Sequence, residues 1–144
     1  YLLEYRDEQV PLSGDGRMFS IPKNVRIIGT MNTADRSIAL VDHALRRRFS
    51  FIALRPKMEI LRHYHQSTGF LIDPLIHLIE KVNSHIDDPN FELGISFFMT
   101  PDLSTHLEDI WLTEIEPYLE EYFFGRSEVV NTLRWEKVRD ELGI

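Results

Sequence analysis

One short stretch of the chain gathers the residue types that phosphoryl chemistry uses. Asn32, Asp35 and Arg36 fall within a polar run, and Asp42 and the triplet Arg46-Arg47-Arg48 follow about one helical step later. An amide can hold a water by donating to it and accepting from it, without competing for its proton. A guanidinium stays charged and donates in a planar fork that matches phosphate oxygens. Asn, Asp and Arg gathered at a strand end make a half-site for phosphoryl transfer. A plainer reading stays open beside this one. A polar loop after a strand is often only a loop, and three Arg at a helix end complement the helix dipole. Other chemistries lack support. The chain has no cysteine, no G-x-S-x-G and no H-E-x-x-H among its six His, and His63 and His65 are only two apart. Gly14 and Gly16 look like a phosphate loop only superficially. No G-x-x-x-x-G-K-[ST] occurs, so these residues hold no nucleotide cradle.

The elements that must position Asn32 and the arginines can be read from pattern. Leu2 to Arg6 and Met18 to Ile21 suggest two strands joined through the turn signal Ser13-Gly14-Asp15-Gly16, a hairpin over residues 1–21. Val25 to Thr30 is a β-branched run expected as a buried strand of a parallel sheet. It delivers Met31 to Ser37 as a loop at the strand's C-terminal end, where open α/β sheets bind ligands. A helical turn is expected from Ile38 to Val41, and Asp42 can cap a helix from His43 to Arg48. Phe49 to Leu54 alternates as a strand, and Arg55-Pro56 ends it.

From Lys57 on the period is helical. Met58, Ile60, Leu61 and Tyr64 mark one helix before Gly69. Asp73 can cap the next, with Pro74 at its first position and Leu75, Leu78, Ile79, Val82 and Ile86 on one face. Asp87-Asp88-Pro89-Asn90 ends it. Phe91 to Thr100 is aromatic and without clear period. Leu107, Trp111, Ile115, Tyr118, Leu119 and Tyr122 mark a helix over about residues 104–124, in which Pro117 demands a kink or a break. Residues 128–142 read as a last helix. The fold class expected is thus an α/β fragment over 1–56 followed by an all-α part over 57–144, predominantly helical overall.

Charge divides the chain at the same place. Residues 1–56 carry 9 Lys/Arg against 6 Asp/Glu, and residues 57–144 carry 7 against 17, which together give the net charge of -7. The acidic part lacks the clustered cations that phosphate neutralisation needs, so it offers nucleic acid no footing of its own. With 43% hydrophobic and 27% charged residues the chain is globular in type, not disordered. No apolar run reaches the ~18 residues of a membrane span, and Tyr1 to Arg6 has no signal-peptide layout. Absent cysteine fits a reducing cytoplasm. The chain opens without Met and inside a strand-like run. The expectation is therefore a part of a longer protein, with further strands of the sheet upstream, since a lone strand pair makes no stable doubly wound sheet.

Met31-Asn32-Thr33-Ala34-Asp35-Arg36-Ser37, followed by Val41-Asp42-His43-Ala44-Leu45-Arg46-Arg47-Arg48-Phe49, closely resembles the AAA+ motor of the McrB type. That family provides the GTP-dependent subunit of modification-dependent restriction systems. Phe91 to Phe98 is similar to the family's aromatic, glycine and serine element, and Trp111 to Phe124 to its C-terminal lid helix. The resemblance covers nearly the whole chain, most strongly over 25–54 and 107–124. It implies that residues 1–56 are the C-terminal part of a P-loop NTPase core and 57–144 a helical lid. It implies that Asn32 is the sensor orienting the attacking water, that Asp35 and Arg36 lie near the nucleotide and the neighbouring subunit, and that Asp42 orients the arginines. Arg47 would be the finger offered to the next subunit's nucleotide, with Arg48 bracing the interface. Family members often carry Arg where this chain has Glu92.

For the intact protein the resemblance implies GTP or ATP with Mg, a homo-oligomeric ring of AAA+ subunits, an McrC-like nuclease partner, and DNA bound through parts outside this chain, with no membrane. No cofactor is expected for the chain alone. Two other functions remain open: a non-catalytic lid and oligomerisation fragment, and an AAA+ remodelling ATPase with no restriction role.

Overall fold

The computed structural model describes residues 1–32 and 43–143. They form two units, Tyr1–Ala53 and Leu54–Ile144.

In the first unit the hairpin forms, but its strands are short. Strand β1 (Val10–Pro11) pairs antiparallel with β2 (Met18–Phe19), Val10 opposite Phe19 and Pro11 opposite Met18. The turn needs its glycines: Gly14 has φ +111° and Gly16 φ +69°, a region that costs any side-chain-bearing residue energy. Asp15 Oδ1 accepts the Arg17 N–H at 3.0 Å and so fixes the turn locally. The strand expected at Leu2 to Arg6 is instead a pair of turns. The Tyr1 carbonyl accepts the N–H groups of Glu4 (2.9 Å) and Tyr5 (3.1 Å), and these local bonds replace a ladder.

Val25 to Thr30 and Phe49 to Leu54 also differ from expectation: neither belongs to a sheet among the described residues. The reason is physical. A β-branched run becomes a strand only where a neighbour takes its N–H and C=O groups and covers its faces. Here Ile28 stands 93% exposed and Ile52 83%. Helix α1 spans His43–Arg48, as its pattern predicts, with all three Arg in its last turn. The turn expected at 38–41 and the cap expected from Asp42 lie outside the described residues.

The second unit is helical and holds every buried residue among those described. Helix α2 (Met58–His65) is followed by α3 (Asp73–Ser84), whose Leu75, Leu78, Ile79 and Val82 are buried as their spacing predicts. The expected Asp73 cap is not made. Asp73 lies in the first turn, and its Oδ1 accepts from Arg62 Nε at 2.8 Å. Two 3₁₀ turns follow, Pro89–Phe91 and Ile95–Phe98. The second is in contact with both α2 and α4 (Leu103–Ile110). Helix α4 continues through a wider π turn, Trp111–Ile115, into α5 (Glu116–Tyr122).

Sequence explains that π turn twice over. Pro117 has no N–H to give and its ring crowds the carbonyl four residues back. The buried hydrophobic residues along this run, Leu103, Leu107, Trp111, Ile115, Leu119 and Phe123, are spaced by four. At 3.6 residues per turn such a stripe drifts by about 40° a step, or about 200° along its length. A wider turn takes part of that rotation back and keeps the stripe on the core.

The single last helix expected over 128–142 is two: α6 (Ser127–Thr132), which packs on α5, and α7 (Trp135–Leu142), which packs on α3. The break at Leu133-Arg134 has tertiary causes. Trp111 Nε1 donates to the Leu133 carbonyl at 2.9 Å, and Glu116 Oε1 accepts the Trp135 N–H at 2.6 Å. Glu116 thus caps α7 from another helix.

Candidate functional site

Asn32 lies two residues beyond the Val25 to Thr30 segment and is exposed. Asp35, Arg36 and Asp42 lie outside the described residues. Of the predicted residues, the structure describes Asn32 and, on α1, Arg47 and Arg48. Both parts belong to the first unit.

The three arginines of α1 have different surroundings. Arg46 lies over the Phe51 ring, 5.5 Å from its centroid, a cation–π distance. Arg48 Nη2 donates to Glu4 Oε2, and its side chain is 24% exposed against 48% for Glu4. That hydrogen bond and then the Arg48 charge, with the chain's amino terminus and Arg47 adding to them, hold the Glu4 carboxyl below its usual range against the opposing effect of desolvation. Arg47 is exposed and makes no ion pair among the described residues, though its charge is one of those acting on Glu4. Arg46 and Arg47 are both exposed, but of the three only Arg47 has neither a ring contact nor an ion pair among the described residues. The partner Glu4 was missed in the sequence, because nothing local signals an ion pair across 44 positions.

Glu4 lies in a turn that makes further contacts. Arg6 Nη1 donates to the Val25 carbonyl at 3.3 Å, and Asp7 pairs with Lys23 at 2.7 Å. Residues 4, 6 and 7 therefore touch both α1 and the segment that leads to Asn32.

In the second unit the side chains with hydrogen-bonding power are spent on the scaffold. His65 is buried, with Nε2 2.8 Å from the Phe98 carbonyl and Nδ1 2.9 Å from Thr68 Oγ1, so both ring nitrogens are engaged. Since a carbonyl only accepts, Nε2 carries the proton. The loop between α3 and α4 is fastened through its backbone. Asn83 accepts the Leu93 N–H at 2.6 Å and donates to the Leu93 carbonyl at 3.2 Å. Tyr122 Oη accepts from the Asp87 and Asp88 N–H groups at 3.2 and 3.4 Å, and Tyr118 donates to the Phe91 carbonyl. Burial, with the neighbouring Tyr122 and Glu121, pushes the Tyr118 phenol up to about 12. Arg134 spans two acids, Glu116 at 2.7 Å and Glu120 at 2.6 Å, and these bonds raise its already high pKa. Among the described residues no three His, Asp or Glu gather as metal ligands, and no helix is long and apolar enough to cross a membrane.

Comparison with known proteins bears on both units. Residues 74–138 match the family described as McrB, alpha-helical lid domain. The chain is also 38% identical to the Type IV methyl-directed restriction enzyme EcoKMcrB subunit of Escherichia coli (strain K12), over 80% of this chain and 29% of that protein. The chain therefore spans well under a third of the relative's length. The helical unit built on Trp111, Phe98 and Phe123 is the lid that this family model describes, and the chain belongs to the McrB family.

Proposed function

We propose that this chain supplies the arginine-bearing half-site and the helical lid of an McrB-type AAA+ motor. In the intact protein, neighbouring subunits in a ring hydrolyse GTP, or ATP, with Mg. An McrC-like nuclease partner joins the ring, and DNA is held through parts outside this chain, in the cytoplasm. Arg47 is the finger that reaches the next subunit's nucleotide, Asp42 orients the arginines, and Arg48 braces the interface. Asn32 orients the attacking water, with Asp35 and Arg36 beside it. An exposed guanidinium suits the terminal phosphate, and an amide suits the water. The magnesium ion is assigned to no residue of this chain.

The observation that carries this reading is the state of the triplet: Arg46 on Phe51, Arg48 on Glu4, and Arg47 exposed between them. A finger stabilises charge developing on the transferring phosphoryl group and is worth roughly 10³–10⁵ in rate. Arg47→Ala in the intact protein should then assemble and bind GTP yet turn it over poorly. Mixing it with subunits that lack the phosphate-loop lysine should restore hydrolysis at interfaces where an intact finger meets an intact cradle. If mixed rings form and no ratio restores hydrolysis, Arg47 does not act across subunits.

One observation favours a second reading, a lid and oligomerisation element without catalysis: all buried residues among those described lie in residues 54–144. Isothermal titration of the chain with GTP should show weak binding or none under either reading. Loss of turnover in the Arg47→Ala protein separates the two.

A further inference from the structure

Helix α1 has six residues, none of its described residues is buried, and a helix that short cannot hold itself in water. Something outside it must fix its last turn. The N-terminal turn does so from one side. Glu4 takes Arg48, while Arg6 and Asp7, two and three residues on, take the Val25 carbonyl and Lys23. The turn is itself closed by the bonds from Glu4 and Tyr5 to the Tyr1 carbonyl and from Glu8 to the Tyr5 carbonyl. It therefore bridges the arginine helix and the segment that ends at Asn32.

We infer that residues 1–8 form a bracket that sets the arginine helix against the Asn32 segment, with Glu4 as the positioning residue for Arg47. The inference rests on the finger reading of Arg47. Glu4 occupies Arg48 and so fixes which face of α1 turns outward; on a helix the side chain at 47 is then directed about 100° away from that at 48. Partly exposed ion pairs contribute little to stability. The loss should therefore fall on turnover and not on folding, since small displacements of a charge-stabilising group are expensive in the transition state.

The test uses the intact protein and compares Glu4→Gln, Arg48→Gln, the double variant and Arg47→Ala. GTP hydrolysis, GTP affinity, ring assembly and melting temperature are measured for each. Glu4→Gln should lower kcat about tenfold, with KM and melting temperature in place. Its hydrolysis should recover in rings mixed with subunits that lack the phosphate-loop lysine. The double variant should be no slower than Arg48→Gln alone, because Glu4 acts through Arg48. Glu4→Asp, which keeps the charge, should recover part of the rate. Normal turnover in Glu4→Gln beside a dead Arg47→Ala overturns the bracket and leaves the finger standing. Additive losses in the double variant, or an equal fall in melting temperature and rate, also overturn it. An active Arg47→Ala removes the finger reading itself.

Discussion

Residues 54–144 bury Trp111, Phe98 and Phe123 completely, whereas no described residue of 1–53 is buried. The contrast does not come from a lack of apolar residues in the first unit. Val25, Ile27, Ile28, Phe51 and Ile52 are all there and all exposed. It comes from how each kind of element closes its hydrogen bonds. A helix satisfies most of its backbone within itself and needs only a neighbour for its apolar stripe. A strand must find another strand before its side chains can be covered. In the first unit only Val10–Pro11 and Met18–Phe19 find one another. Helical segments of one chain can complete a core, while strand-like segments depend on partners.

The comparison can be tested first where it is steepest. Trp111→Ala removes a fully buried indole and its bond to Leu133, so it should destabilise the helical unit by about 3–5 kcal/mol. Denaturant unfolding followed by far-ultraviolet circular dichroism measures it. An unchanged midpoint would break the claim that this buried indole helps hold the helical unit together.

Glu116→Gln should cost about 2 kcal/mol by the same measurement, because it weakens the bonds from Trp135 N–H and Arg134. Hydrogen exchange should rise first at the start of α7. Exchange unchanged there would mean that the helix holds its start without Glu116.

A third effect is spectroscopic. Tyr118 should ionise late, near 12, because burial favours the neutral phenol. The sign follows from the raised value. The unfolded phenol ionises near 10, so the stability that Tyr118 contributes is complete below 10 and is lost as pH climbs toward 12. Ultraviolet titration of wild type against Tyr118→Phe should remove a late-titrating group.

The smallest effect sharpens the contrast most. Ile28→Ser should change the stability of this chain by no more than about 0.5 kcal/mol, since Ile28 is 93% exposed. The same substitution in the intact protein should cost several times more if other strands complete the sheet there. Equal effects in both would mean that the segment is not a strand in either.

The pattern of α3 was legible because its spacing of three and four is a property of one segment, and Pro74 marks its start. The triplet on α1 was legible for the same reason: residues 43–48 are a local pattern with a cationic end. The continuous helix through Trp111 was legible too, and Pro117 announced its irregularity. The break at Leu133-Arg134 was not, because its causes, Trp111 and Glu116, lie some twenty positions away. The strand-like runs misled because periodicity reports what a strand would bury and not whether anything is there to bury it.

The sequence by itself determined the helical period of residues 58–86 and 104–122, the identities of Asn32 and the arginines, and the charge division near Pro56. Each is a matter of composition or of spacing within one segment. Only the tertiary structure decided that Arg48 belongs to Glu4 and Arg46 to Phe51, leaving Arg47 outward, and that Glu116 starts α7. These depend on the meeting of residues distant in the chain. Such meetings are set by the packing of whole elements, which no local pattern encodes.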